Sequence, residues 1–109
     1  MKTITLNITV SGGTSILGII YKIFKKGTTV PLFEKTENGS FSEDFKLNEN
    51  AEYDLYIIGS NPLSIDKNTR VKIDGDIVLS EDSDLNPANR KGNGYLLTYH
   101  FKVINKDKL

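Results

Sequence analysis

Apolar and polar residues alternate one for one at the start of this chain, which commits it to extended structure. Ile4, Leu6, Ile8 and Val10 fall on one phase, and Thr3, Thr5, Asn7 and Thr9 on the other. A period of two rich in β-branched residues suits a pleated strand with one face buried. The same period returns at Tyr53, Leu55 and Ile57, and again at Tyr95, Leu97, Tyr99, Phe101 and Val103. No window keeps apolar residues at the i, i+3, i+4, i+7 spacing of a helix. Ala51 and Ala88 are the only alanines, so the best helix former is scarce. The chain reads as all-β.

Turn residues divide it further. Ile16 to Phe24 is apolar on both phases through Ile19, Ile20, Tyr21 and Ile23, which predicts a central strand covered on both sides. Lys25-Lys26-Gly27 turns into a strand over Thr28 to Lys35, where Pro31 removes a ladder donor and marks an edge or a bulge. Asn38-Gly39 reads as a hairpin turn. Phe41 to Leu47 follows, with Glu43 pointing inward among apolar neighbours, as a charge that guards an edge would. Arg70 to Ile73 and Ile77 to Ser80 flank Asp74-Gly75-Asp76 as a second tight hairpin. Glu81 to Gly94 is a long polar loop, of the kind that is either mobile or functional. The expectation is one domain over residues 1–109: a two-sheet antiparallel β-sandwich of about seven strands, such as an immunoglobulin-like one.

Thr36-Glu37-Asn38-Gly39-Ser40-Phe41, followed by Leu47 and Tyr53-Asp54-Leu55, carries a family resemblance. With the apolar strand Gly18 to Phe24 before it, this stretch resembles transthyretin-like sandwiches, the carboxypeptidase-regulatory-like and collagen-adhesin B-type repeats. The resemblance covers Ile16 to Gly59, and from Ser60 onward the chain departs from that pattern. It implies a sandwich fold and a binding or scaffolding role, and no chemistry. Some adhesin repeats cross-link an inward Lys to an Asn beside a buried acid. Glu43 and Asn105 could serve as acid and Asn, but Lys22 is out of phase with Tyr21 and Ile23, so no cross-link is expected.

Composition excludes several kinds of chemistry. The absence of cysteine removes disulfides, thiolate zinc sites and thiol nucleophiles. His100 is the only histidine and sits mid-strand between Tyr99 and Phe101 without a nucleophile motif, as a sheet-face residue would. Asp82, Asp84 and Asn86 match the first ligand positions of a calcium loop. Pro87 then stands where that loop turns on Gly, and Asn93 where it ends on Glu. Gly92-Asn93-Gly94 leads into a strand, so it lacks the helix N-terminus that cradles phosphate. No catalytic residue and no cofactor are expected. Basic and acidic residues balance at 14 each, which gives no field toward nucleic acid or an acidic membrane.

No N-terminal stretch has the apolar run of a secretory signal, so the expectation is a chain made in the cytoplasm without one. Arg70 and Arg90 are the only arginines among 14 basic residues, and Ile and Asn are abundant, the bias that AT-rich codons produce. These features together predict a non-enzymatic module bound to a protein partner within a larger assembly, most concretely a capsid-decoration or tail accessory protein of a phage virion. A bacterial adhesin-type surface module and a cytosolic immunity-like binding domain are the alternatives. The contact surface expected from the sequence is the long loop through Asp82, Asp84, Arg90 and Lys91, or the edge at Pro31.

Overall fold

A computed structural model describes residues 1–108. It contains nine strands: β1 (Lys2–Ser11), β2 (Ile19–Lys25), β3 (Phe33–Glu37), β4 (Phe41–Leu47), β5 (Glu52–Ser60), β6 (Asn68–Asp74), β7 (Ile77–Leu79), β8 (Ala88–Arg90) and β9 (Gly94–Val103). They form two antiparallel sheets, of four strands in the order β4-β1-β6-β8 and of five in the order β3-β2-β5-β9-β7. The fold is an all-β sandwich, as the alternation predicts. The strand expected at Ile77 to Ser80 is β7, whereas β8 lies inside the expected Glu81 to Gly94 loop and, at three residues, is too short to display a period. Among the described residues the only helical turn is Lys106–Lys108, and no helix is long and apolar enough to cross a membrane.

Alternation places one face of each sheet in a shared core. Ile4, Leu6 and Ile8 on β1 pack with Tyr21 and Ile23 on β2 and with Tyr53, Leu55 and Ile57 on β5, all nearly inaccessible. Burial of each such side chain stabilises by about 1.5–3 kcal/mol. The Tyr21 ring stacks on Phe41 at 5.6 Å and meets Phe45 edge-on at 5.7 Å, joining β2 to β4 of the other sheet. Tyr99 and Phe101 are also core residues.

Connectivity differs from the hairpin reading. Of consecutive strands only β2 and β3 pair with each other; the others alternate between sheets. Asn38-Gly39 therefore carries the chain from β3 in one sheet to β4 in the other. The two-residue hairpin turn favoured by Asn-Gly demands positive φ at both central residues, and neither Asn38 nor Gly39 adopts it. Asp74-Gly75-Asp76 likewise turns a corner between sheets instead of closing a hairpin. Gly75 has φ +136°, and a Cβ there would lie 2.7 Å from Ile4 Cδ1, so the corner needs glycine.

Two strand assignments also shift. Thr28 to Leu32 is loop, and β3 begins only at Phe33, after Pro31. The chain rejoins the sheet where the Leu32 amide donates to Ile23 O at 2.7 Å, a bond that proline could not make. β2 is central, as expected, but covered on one side only, since Ile20 faces solvent.

Candidate functional site

The two outer faces of the sandwich differ in kind. On the four-stranded sheet every outward position of β1 is polar, and the groups bond one another. Thr5 donates to Asp44 at 2.7 Å, Asn7 donates to Asp74 at 2.8 Å, and Ser42 donates to Asn7 at 2.7 Å. That is an ordinary solvated sheet face.

The five-stranded sheet breaks this rule. Register places Ile20 opposite Ile58, and Ile58 opposite Leu96, so one aliphatic row crosses three adjacent strands on the outside. Their exposures are 38%, 57% and 60%. Leu17, 84% exposed, and Ile16 extend the row past the end of β2. Ile16, Leu17, Ile20 and Ile58, with Gly59 and Gly94, line a shallow groove of about 480 Å³, and Leu96 stands outside it.

These side chains are held in place. The buried Ser60 hydroxyl accepts the Leu17 amide at 2.8 Å and lies 2.9 Å from the buried Ser15 hydroxyl. Ser15 Oγ accepts the Gly18 amide at 3.1 Å, and the Ser15 amide donates to Asn38 O at 2.8 Å. A hydrogen-bonded turn thus presents Ile16 and Leu17 to solvent, which lowers the ordering cost of any contact made there. Beneath the groove, Asn61 is fully buried and satisfied. Its side chain donates to Arg90 O and Gly92 O and accepts from Thr69, which fixes the segment leading into β9.

Polarity rises along the same face. The next row carries Lys22, Tyr56 and Thr98, with Lys22 paired to Glu34 at 3.5 Å. Beyond it Asp54 stands opposite His100, its carboxylate 2.5 Å from His100 Nδ1. His100 Nε2 faces Asp82 at 3.9 Å, and Ser80 donates to the other Asp82 oxygen, holding that carboxyl below its ordinary range. His100 is a sheet-face residue, as its position in the sequence suggests.

No protein-family model matches this chain, and neither a curated protein nor a solved structure matches it.

The residues singled out in the sequence are dispersed. Pro31 precedes β3, one edge of the five-stranded sheet, while the segment Asp82 to Lys91 starts at the opposite edge, after β7, and crosses to the four-stranded sheet, where it includes β8. Ser80 and Asp84 donate backbone amides to His100 O at 2.8 Å and Thr98 O at 2.9 Å, so this segment prolongs β7 along β9. Asp84 accepts from the Thr98 amide at 2.8 Å and from Arg90 at 3.1 Å, which occupies both carboxylate oxygens. Asn86 turns away to bond β6. Asp82, Asp84 and Asn86 thus each serve a different neighbour and do not converge on a common point. Lys91 is exposed.

A β2 covered on both sides, as the sequence predicts, leaves no place for the apolar row. A signal was nevertheless present. Once Tyr95, Leu97 and Tyr99 are set inward, Leu96 must face out, and Ile58 does the same beside Ile57.

Proposed function

We propose that this chain is a non-enzymatic protein-binding module that decorates or joins a larger protein assembly through the outer face of its five-stranded sheet. The observation that carries the reading is the aliphatic row Ile20–Ile58–Leu96, pre-arranged across three strands with Leu17 at its end. A contiguous exposed apolar patch with a polar rim is the usual mark of a protein interface. The polar, cross-bonded outer face of the other sheet provides the contrast within the same molecule. A capsid or tail accessory protein of a phage virion is the most concrete form. It is supported by the small cysteine-free sandwich and the Lys-, Ile- and Asn-rich composition, and the adhesin-like stretch Ile16 to Gly59 fits the same binding role.

The test is density-gradient sedimentation of the native lysate, with the chain followed by mass spectrometry. Co-migration with megadalton particles, lost on Ile58→Lys, is the expected result. Recovery of the wild-type chain at the top of the gradient would overturn the assembly reading.

A further inference from the structure

We infer that Asn38 is a self-modifying site. The Gly39 amide nitrogen attacks the Asn38 side-chain amide and, with water as the only co-reactant, converts it to aspartate and isoaspartate. The change loosens the turn that carries Ile16 and Leu17. It does not depend on what the outer sheet face binds.

The fold does not require Gly39. Its φ is not positive, and a Cβ there would meet nothing within 4 Å. The bend crosses between sheets instead of closing a hairpin, so the usual structural reason for Asn-Gly is missing too. What glycine supplies here is reactivity. Without a Cβ, its nitrogen can approach the preceding side chain closely.

The surroundings leave that approach open. Asn38 is exposed and lies outside both strands, and its side chain makes no hydrogen bond among the described residues. The Gly39 amide is likewise unbonded among them. That nitrogen bonds to Asn38 Cγ, Nδ2 leaves as ammonia, and a five-membered imide forms. Water then opens the imide at either carbonyl. Opening at Cγ gives aspartate. Opening at the main-chain carbonyl gives isoaspartate, whose main chain runs through Cβ and Cγ and is one carbon longer. Both products gain a carboxylate, and nothing is oxidised or reduced.

Position 38 touches the turn beside the aliphatic row. The Asn38 carbonyl accepts the Ser15 amide at 2.8 Å, and Asn38 Nδ2 lies 3.8 Å from where a Cβ on Gly18 would stand. In isoaspartate that carbonyl becomes a free carboxylate off the main chain. It then no longer fixes the course of β3 into β4 against the Ser15 turn, and a negative charge enters beside Gly18.

A second Asn-Gly pair is the internal control. Asn93 Oδ1 accepts from Lys67 Nζ at 2.6 Å, and Asn93 O accepts the Asn61 amide at 2.8 Å. Gly94 opens β9 opposite Ser60. Asn93 is thus pinned at side chain and backbone, a restraint Asn38 lacks, so it reacts more slowly.

Ageing the purified chain in mildly alkaline buffer, followed by tryptic mapping, tests this. Asn38 is the only asparagine in the peptide Thr36–Lys46, and Asn93 the only one in Gly92–Lys102. The first peptide should gain about one mass unit and accept methyl from an isoaspartate methyltransferase, and the second should lag it by at least about ten-fold. In urea the two should convert alike. Gly39→Ala should keep the circular dichroism spectrum of wild type and slow the change at Asn38 by at least about ten-fold. Amide hydrogen exchange at Ser15 and Leu17 should quicken in the aged wild type and not in aged Gly39→Ala. Asn38 left intact, or Asn93 converting as fast in the folded chain, overturns the site. A lag that persists in urea overturns its structural cause. Conversion that leaves exchange at Ser15 and Leu17 unchanged overturns its effect on the turn.

Discussion

The Asn86 side chain accepts the Ile73 amide at 2.8 Å and donates to the Ile73 carbonyl at 2.9 Å, pairing with β6 as the backbone of another strand would. One side chain thus prolongs the pairing that β8 begins at Ala88, opposite Val71. Asn86→Asp keeps the acceptor but turns a carboxylate oxygen on the Ile73 carbonyl. It should cost about 1–3 kcal/mol, the range for an unpaired or repelled half-buried polar group. Urea denaturation of the two proteins measures the difference; an unchanged midpoint would show that the pairing contributes nothing net.

The Tyr95 ring lies across Gly59, so that a Cβ on Gly59 would come within 2.2 Å of the Tyr95 oxygen. Gly59 has no positive φ, which makes the constraint purely steric. Gly59→Ala should destabilise by about 1–3 kcal/mol through overpacking. Most of that loss should vanish when Tyr95→Ala is combined with it, because the two changes share one contact. A double-mutant cycle by thermal melting reads the coupling, and additive losses would contradict the contact.

Arg90 and Lys91 are neighbours with different roles. Arg90 pairs with Asp84 at 3.1 Å, while Lys91 is exposed. Arg90→Glu should lower stability by about 0.5–1 kcal/mol, because a partly exposed pair becomes a repulsion. Lys91→Glu should leave stability unchanged. Only Lys91→Glu is therefore a clean probe of whether this loop contacts a partner, and chemical denaturation of each variant separates the two.

Alkaline pH should loosen the core through its tyrosines. Burial pushes the Tyr99 hydroxyl up to about 12, with Asp84 adding to the shift, while the hydroxyl donates to Leu85 O at 2.8 Å. Burial also raises Tyr21. A tyrosine in the unfolded chain ionises near pH 10, so the unfolded state loses its proton first. The stability that Tyr99 contributes is complete below about pH 10 and is lost as pH rises through about 12. Urea midpoints measured from neutral pH to about pH 11 should fall more steeply for wild type than for Tyr99→Phe. Parallel curves would remove Tyr99 from the account.

Much of the fold was legible because alternation depends only on local geometry. The burial phases of β1, β5 and β9 follow directly from Ile4, Leu55 and Leu97. Pairing was not legible, because it depends on which sheet a strand joins after its turn. Asn38-Gly39 and Asp74-Gly75-Asp76 carry hairpin residues, yet both cross between sheets. The strap Glu81 to Asn86 reads as free loop because only scattered bonds hold it, through the Asp84 amide and the side chains of Asp84 and Asn86, which leave no periodic trace. The apolar row demanded a register: Ile20, Ile58 and Leu96 lie far apart in sequence and become neighbours only when β2, β5 and β9 align.

Glu43 stands on an open edge, where an inward charge is a device that discourages strand addition. It lies in phase with Phe45 and Leu47 on β4, an edge strand, and its carboxylate meets Lys35 of β3 at 3.4 Å. β3 is the edge of the other sheet, so the ion pair spans the open side of the sandwich. Glu43→Val would leave Lys35 with Glu37 at 3.2 Å, so no charge is orphaned and the urea midpoint should change little. The inner face of β4 would then be continuously apolar on a strand whose far side is unpaired, the arrangement that templates strand addition. Thioflavin fluorescence should rise sooner for Glu43→Val than for wild type at equal stability. Equal lag times would mean that another feature guards this side, with Pro31 at the entrance to β3 the next residue to replace.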